Sequence, residues 1–132
     1  MAIAAQPLIA VRDVRASACW YATLLGADRL PEHEHRDSYD RISRDNLLVL
    51  QLHAWDVEQH PNLMDADKAP VGHGVVLWFQ LDDFDQAVER ARALDAEVVE
   101  EPHVNPAPKH KEMWLRDPDG FLVVIASPDG IC

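Results

Sequence analysis

Two stretches of the chain share one pattern, and that repetition limits the fold more than any other feature. The first runs Val11-Arg12-Asp13-Val14, then a helical stretch that closes on Leu25-Gly26-Ala27-Asp28. The second runs Leu81-Asp82-Asp83-Phe84, then a helical stretch that closes on Leu94-Asp95-Ala96-Glu97. Each reads as strand, capping aspartate, helix, tight turn, strand, the mark of an internal duplication. A chain of 132 residues built this way is one compact domain, or two small modules sharing a core.

The second helix shows the stronger periodicity. Phe84, Ala87, Val88, Ala91 and Leu94 fall on one face, and Asp85, Gln86, Glu89, Arg90 and Arg92 cover the other. Asp83 is placed to cap its start, with Gln86 as a capping-box partner. The first helix is expected from about Ala16 to Leu25, stopped by Gly26 in a left-handed conformation. Cys19 lies inside it beside Trp20 and reads as a small buried apolar residue.

Strands are expected at Pro7–Arg12, Arg29–His35, Tyr39–Arg44, Leu47–His53, Val75–Leu81, Glu97–Glu100, Lys111–Arg116 and Phe121–Ala126. Asp117-Pro118-Asp119-Gly120 joins the last two: proline presets the turn angle and glycine accepts the positive φ. The fold class is therefore α+β, with β-α-β-β-β written twice and curved mixed sheets around a concave pocket. The first module spans 1–55, a linker 56–72, and the second module 73–132. Pro102 to Pro108 reads as a proline-rich loop.

Side chains alternate across a strand, so each sheet has two faces. Ile9, Val11, Leu48, Leu50, Leu52, Val75, Leu77, Phe79, Leu81, Met113, Leu115, Phe121, Val123 and Ile125 form an apolar face for the helices. The opposite face carries Gln6, Gln51, His53, Val76, Trp78, Gln80, Glu112, Trp114 and Val124 among other aliphatic residues. A solvated face would hold more charge and a second core would hold less polarity. Apolar walls with a few polar anchors describe a small-molecule site.

Charge narrows the partners. Lys and Arg number 12 against 23 Asp and Glu, a net charge of -11, which repels nucleic acid and anionic membrane and favours a cationic ligand. No apolar run is long enough to span a bilayer, and the N-terminal stretch lacks the basic start of a secretory signal, so a cytoplasmic location is expected. Cys19 and Cys132 make no disulfide framework and no zinc-finger spacing.

The ordered pieces resemble the vicinal oxygen chelate superfamily, the glyoxalase/bleomycin-resistance/extradiol-dioxygenase type. Val11-Arg12-Asp13-Val14, Ser17, Trp20-Tyr21 and Leu25-Gly26-Ala27 look like its first module. Phe79-Gln80-Leu81-Asp82-Asp83 and Trp114-Leu115-Arg116-Asp117-Pro118-Asp119-Gly120 look like its second. The resemblance covers nearly the whole chain and implies the fold, not an activity. Metal enzymes of that family place ligands on the first and last strands of each module. Seven residues before Asp13 lies Gln6, and seven before Asp83 lies Val76; the last-strand positions match Gln51 and Val124. The set has no carboxylate and no imidazole, and valine cannot ligate, so no metal and no cofactor are expected.

Three functions are compatible with these residues. The first is a metal-free protein, likened to the bleomycin-resistance branch, that sequesters a cationic or aromatic small molecule as a homodimer. There Trp78 and Trp114 would stack, Glu112 would pair with a positive charge, and Gln6, Gln51, Gln80 and His53 would hydrogen-bond. The second is a lyase, isomerase or dioxygenase with an altered metal site, or with His53 and Glu112 as acid and base. The third is an interaction protein whose cavity is filled. Whether the chain is an enzyme stays open on the sequence alone. His73 stands at the wrong phase, and His60, His103 and His110 are expected exposed in or beside loops. His33 and His35, alternating with Glu32 and Glu34, are expected on a solvated edge strand.

Overall fold

A computed structural model of the chain describes residues 4–29, 37–57, 60, 62–68, 70–106 and 109–128. The chain divides into two compact units, Met1–Ala69 and Pro70–Cys132. Each repeats the same order of elements, which is the duplication expected from the sequence.

The first unit holds β1 (Leu8–Val11), α1 (Val14–Leu25), β2 (Asp28–Arg29), β3 (Tyr39–Arg44) and β4 (Leu47–Ala54). Its sheet runs β1-β4-β3-β2, with β1 parallel to β4 and the other pairs antiparallel. Helix α1 starts at Val14, two residues earlier than its spacing suggests. Asp13 caps it as expected, accepting a hydrogen bond from the Ala16 N–H at 3.0 Å. Gly26 ends it at φ 59°, the left-handed stop. Asp45 and Asn46, both at positive φ, make the two-residue turn between β3 and β4. Ile42, Leu50 and Leu52 are fully buried, and each contributes roughly 1.5–3 kcal/mol relative to an exposed side chain.

The second unit holds β5 (Val76–Gln80), α2 (Phe84–Ala93), β6 (Glu97–Asn105), β7 (His110–Arg116) and β8 (Leu122–Ala126). Its order, β5-β8-β7-β6 with β5 parallel to β8, is the counterpart of the first. Met113, Leu115, Val123 and Ile125 are buried with Phe84, Ala87 and Ala91 of α2. The Asp117–Gly120 turn forms as read: the Asp117 carboxylate accepts from the Asp119 and Phe121 N–H groups, and Gly120 sits at φ 98°.

Five expectations need correction. Asp83 makes no side-chain cap; its carboxylate accepts from Arg90 at 3.1 Å, and charge pairing has displaced the capping bond. Val75 lies before β5 and is 44% exposed, outside the apolar face. Pro102 is not in a loop but inside β6. The strand tolerates it because β6 is an edge and its pairing with β7 skips from Glu100 to His103. His103 lies in that same strand, and His110 opens β7 and is buried. Cys19 is exposed, with its sulfur 3.2 Å from the Arg29 guanidinium. Residues 30–36, with His33 and His35, lie outside the described residues.

Candidate ligand-binding site

The faces turned away from the helices carry the polar and aromatic groups, and each unit builds its own arrangement.

In the first unit, Gln51 and His53 project from β4 on the side opposite Leu50 and Leu52, as strand alternation requires. Both polar atoms of the Gln51 amide are engaged: Tyr39 donates its hydroxyl to Oε1 at 2.6 Å, and Nε2 donates to the Gln6 carbonyl at 2.9 Å. Burial raises the Tyr39 phenol above its ordinary pKa, with Arg41 opposing and Asp40 adding to the rise. His53 is buried, and its Nδ1 lies 2.8 Å from the Ala54 carbonyl. A carbonyl only accepts, so Nδ1 carries a proton and Nε2 is the ring nitrogen left for another partner. The His60 ring stands edge-on to His53 at 5.2 Å between centroids, and Tyr39 at 6.3 Å. Sequence reading missed Tyr39 at this site, whereas His60 is exposed outside helix and strand as expected.

In the second unit, β7 alternates His110, Glu112 and Trp114 on one face, against Lys111, Met113 and Leu115 on the helix side. Glu112 is 5% exposed, and its carboxylate is encircled by donors. His110 Nε2 approaches Oε2 at 2.6 Å; His103 Nε2 and Trp114 Nε1 approach Oε1 at 3.2 and 3.1 Å. Asn105 adds a side-chain bond. Burial pushes the Glu112 carboxyl up, but the bonds from His110, Trp114 and Asn105 and the charge of His110 together hold it below the ordinary carboxylate value. His103 binds two groups that only accept, the Glu101 carbonyl through Nδ1 at 2.8 Å and Glu112 through Nε2. Satisfying both requires the imidazolium. Its pKa is accordingly raised, first by the Glu101 carbonyl bond, with burial opposing and the Glu112 bond and the charges of Glu112 and Glu100 adding.

The residues that hold this carboxylate also hold an aromatic group. Trp78, on β5, is 47% exposed and meets Trp114 edge-on at 6.3 Å and His110 edge-on at 5.6 Å. Edge-to-face contacts of this kind hold a ring in place while leaving a face free. Of the remaining predicted residues, Val76 and Gln80 are exposed on β5, and Val124, the register partner of Trp78, is fully buried. The structure thus joins Trp78, Trp114 and Glu112 and adds His103 and His110, which sequence reading assigned to loops. His110 was detectable, being in phase with Glu112 and Trp114 at two-residue steps.

The four positions matching the family's metal ligands do not suit a divalent ion. Gln51 has both amide atoms committed, Gln6 is exposed, and Val76 and Val124 offer no donor atom. Among the described residues no group of three or more His, Cys, Asp or Glu side chains is arranged to hold a metal. His103, Glu112 and His110 are hydrogen-bonded in a row, not gathered around a centre.

Two mixed four-stranded sheets, each a β-α-β-β-β unit with its first strand parallel to its last, define the class. The family profile described as Glyoxalase/Bleomycin resistance protein/Dioxygenase superfamily matches residues 3–125, and the chain belongs to that superfamily. It is similar to an integron cassette protein from the mobile metagenome of V. cholerae, at 18% identity and TM-score 0.70, covering 96% of this chain and 95% of that one. It is similar also to a glyoxalase/bleomycin resistance protein/dioxygenase family enzyme from Burkholderia phytofirmans PsJN, at 17% identity and TM-score 0.70, covering 92% and 95%. A lactoylglutathione lyase from Agrobacterium tumefaciens matches at 18% identity and TM-score 0.65, covering 96% and 92%. At these identities the likeness speaks to the fold. No curated protein sequence matches the chain.

Proposed function

We propose that the protein binds a planar aromatic small molecule without catalysis or metal, on the face of the second sheet that carries Trp78. The observation carrying this reading is Trp78 itself: a large ring, nearly half exposed, fixed edge-on by Trp114 and His110, which are themselves held by a carboxylate whose acceptor sites are filled. A carboxylate surrounded by its own chain's donors is a poor base and a poor ion partner. Glu112 therefore serves to hold Trp114 and His110 in position, not to meet the ligand charge as its sequence position suggests. Preference for a positive ligand comes instead from the ring face of Trp78 and the net charge of -11. Sequestration by a cytoplasmic homodimer belongs to the same proposal.

Titration with a panel of cationic and neutral planar aromatics, followed by tryptophan fluorescence, tests it. Trp78→Ala should weaken binding about tenfold, the loss of one stacking contact, while leaving the unfolding midpoint nearly unchanged. Added chelator should leave affinity unaltered. A stoichiometric divalent ion in purified protein, or affinity indifferent to Trp78, would overturn the reading.

One observation favours a second reading. The buried His53, with Nδ1–H fixed on the Ala54 carbonyl, presents Nε2 as a base in the first unit. Turnover of an α-ketoaldehyde adduct or a catechol that His53→Ala abolishes would establish an enzyme instead.

A further inference from the structure

A cavity of about 400 Å³ lies in the second unit between α2 and the β6–β7 pair. Of its lining residues only His103 also belongs to the Glu112 network of the aromatic face. Lys111, in register with Val104, points to the helix side of the sheet, where its Nζ lies 3.6 Å from Asp85 of α2. The volume falls in the range of small-molecule pockets. Phe84 closes the inner end and is buried, whereas Val104 is 49% exposed on the opposite wall. An edge-strand valine left that open, lining one cavity with Val88 and Pro102, is an apolar wall that the described residues leave uncovered.

Charge accounting indicates what it takes. Four charged or titratable groups line the cavity: Asp85, Glu89, His103 and Lys111. The two cations are committed, Lys111 to Asp85, and His103 to the Glu101 carbonyl and Glu112. Arg92, whose charge Glu89 feels, is held by Glu101 through two hydrogen bonds. Glu89 itself makes no hydrogen bond or ion pair among the described residues, so the one uncommitted charge on the rim is negative. We propose that this cavity is a second binding site, taking a small molecule with an ammonium group on an apolar tail. The ammonium sits at Glu89, and the tail lies between Val88 and Val104. Because Glu89 is exposed, the ion pair is weak and screened by salt, and apolar contact supplies most of the affinity. A dissociation constant on the order of 1 mM follows for a six-carbon amine.

The test is an amide and indole NMR titration of the full chain with hexylammonium, using hexanol and hexanoate as comparators. Saturable shifts are expected at Val88, Glu89 and Val104, with the Trp78 and Trp114 indole signals still. Hexylammonium should bind more tightly than hexanoate. Glu89→Gln should weaken hexylammonium about two- to fivefold and leave hexanol unchanged. Val104→Trp should abolish all binding. The exposed Glu89→Gln keeps the test decisive if Val104→Trp does not fold. Persistence of the shifts in Trp78→Ala separates this site from the aromatic face. Hexanoate binding as tightly as hexylammonium, shifts confined to the indoles, or no saturation by about 20 mM would overturn the proposal.

Discussion

His103 concentrates the residue-scale chemistry of the second unit. It accepts no hydrogen bond and makes two, one to the Glu101 carbonyl within β6 and one across to Glu112 of β7, and it makes both together only while doubly protonated. A group whose pKa is raised on folding contributes stability that is complete below its unfolded value and lost as pH rises through its folded value. For His103 that loss begins above 6.5. Glu112 has the opposite sign. Its pKa is lowered, so its contribution is complete above 4.5 and lost as pH falls through the folded value. The network is therefore whole between these limits. His103→Gln should separate from the parent in thermal denaturation most clearly between pH 4.5 and 6.5, with the gap closing as pH rises beyond that window. A gap that widened with rising pH would mean that His103 is neutral in the folded protein. The exposed imidazole keeps the effect modest, since solvent screens it.

At the scale of elements, turns and caps fix where each strand begins. Gly72 shows this most sharply. Its φ is +73°, and a Cβ built there would lie 2.8 Å from the Phe121 ring, itself buried. Gly72→Ala therefore meets both a backbone and a steric penalty, and urea denaturation should show a loss of about 1–3 kcal/mol. An unchanged midpoint would mean that the turn before β5 can be rebuilt freely. Much of this level was legible in the residues. The alternation of Leu50 and Leu52 against Gln51 and His53 needs only period two, and the stop at Gly26 needs only its missing side chain. What was not legible depended on pairing across elements. Pro102 reads as a loop residue until β6 is known to be an edge. His103 looked loop-bound for the same reason, and His110, one residue before the expected strand start at Lys111, was left off a face whose phase it shares, so the Glu112 network stayed hidden although Glu112 and Trp114 were in view. Tyr39 joined Gln51 only through the β3–β4 register, which the Asp45-Asn46 turn sets. Asp83 failed as a cap because Arg90, seven residues on, competes for its carboxylate.

For the whole molecule, the duplicated plan carries two unlike surfaces. The first unit displays a chain of amide, phenol and imidazole; the second displays aromatic rings beside a compensated charge. No helix among the described residues is long and apolar enough to cross a membrane. The net charge of -11 acts on any ligand at a distance. Association of a cationic aromatic should therefore slow as salt rises from about 10 to 300 mM, while its dissociation rate, set by stacking, stays nearly constant. Stopped-flow fluorescence checks this, and a salt-independent association rate would show that the acidic surface does not steer.

In both units the first strand waits for the last. Leu8 of β1 pairs with Gln51 of β4, and Val76 of β5 with Leu122 of β8. During synthesis each opening strand emerges long before its neighbour exists and must stay unpaired meanwhile. Closing such distant loops is slow and leaves apolar strands such as Leu77–Phe79 open to the wrong partners. The layout places the exposure risk of this protein during synthesis, when an unpaired first strand is shielded only by whatever covers it.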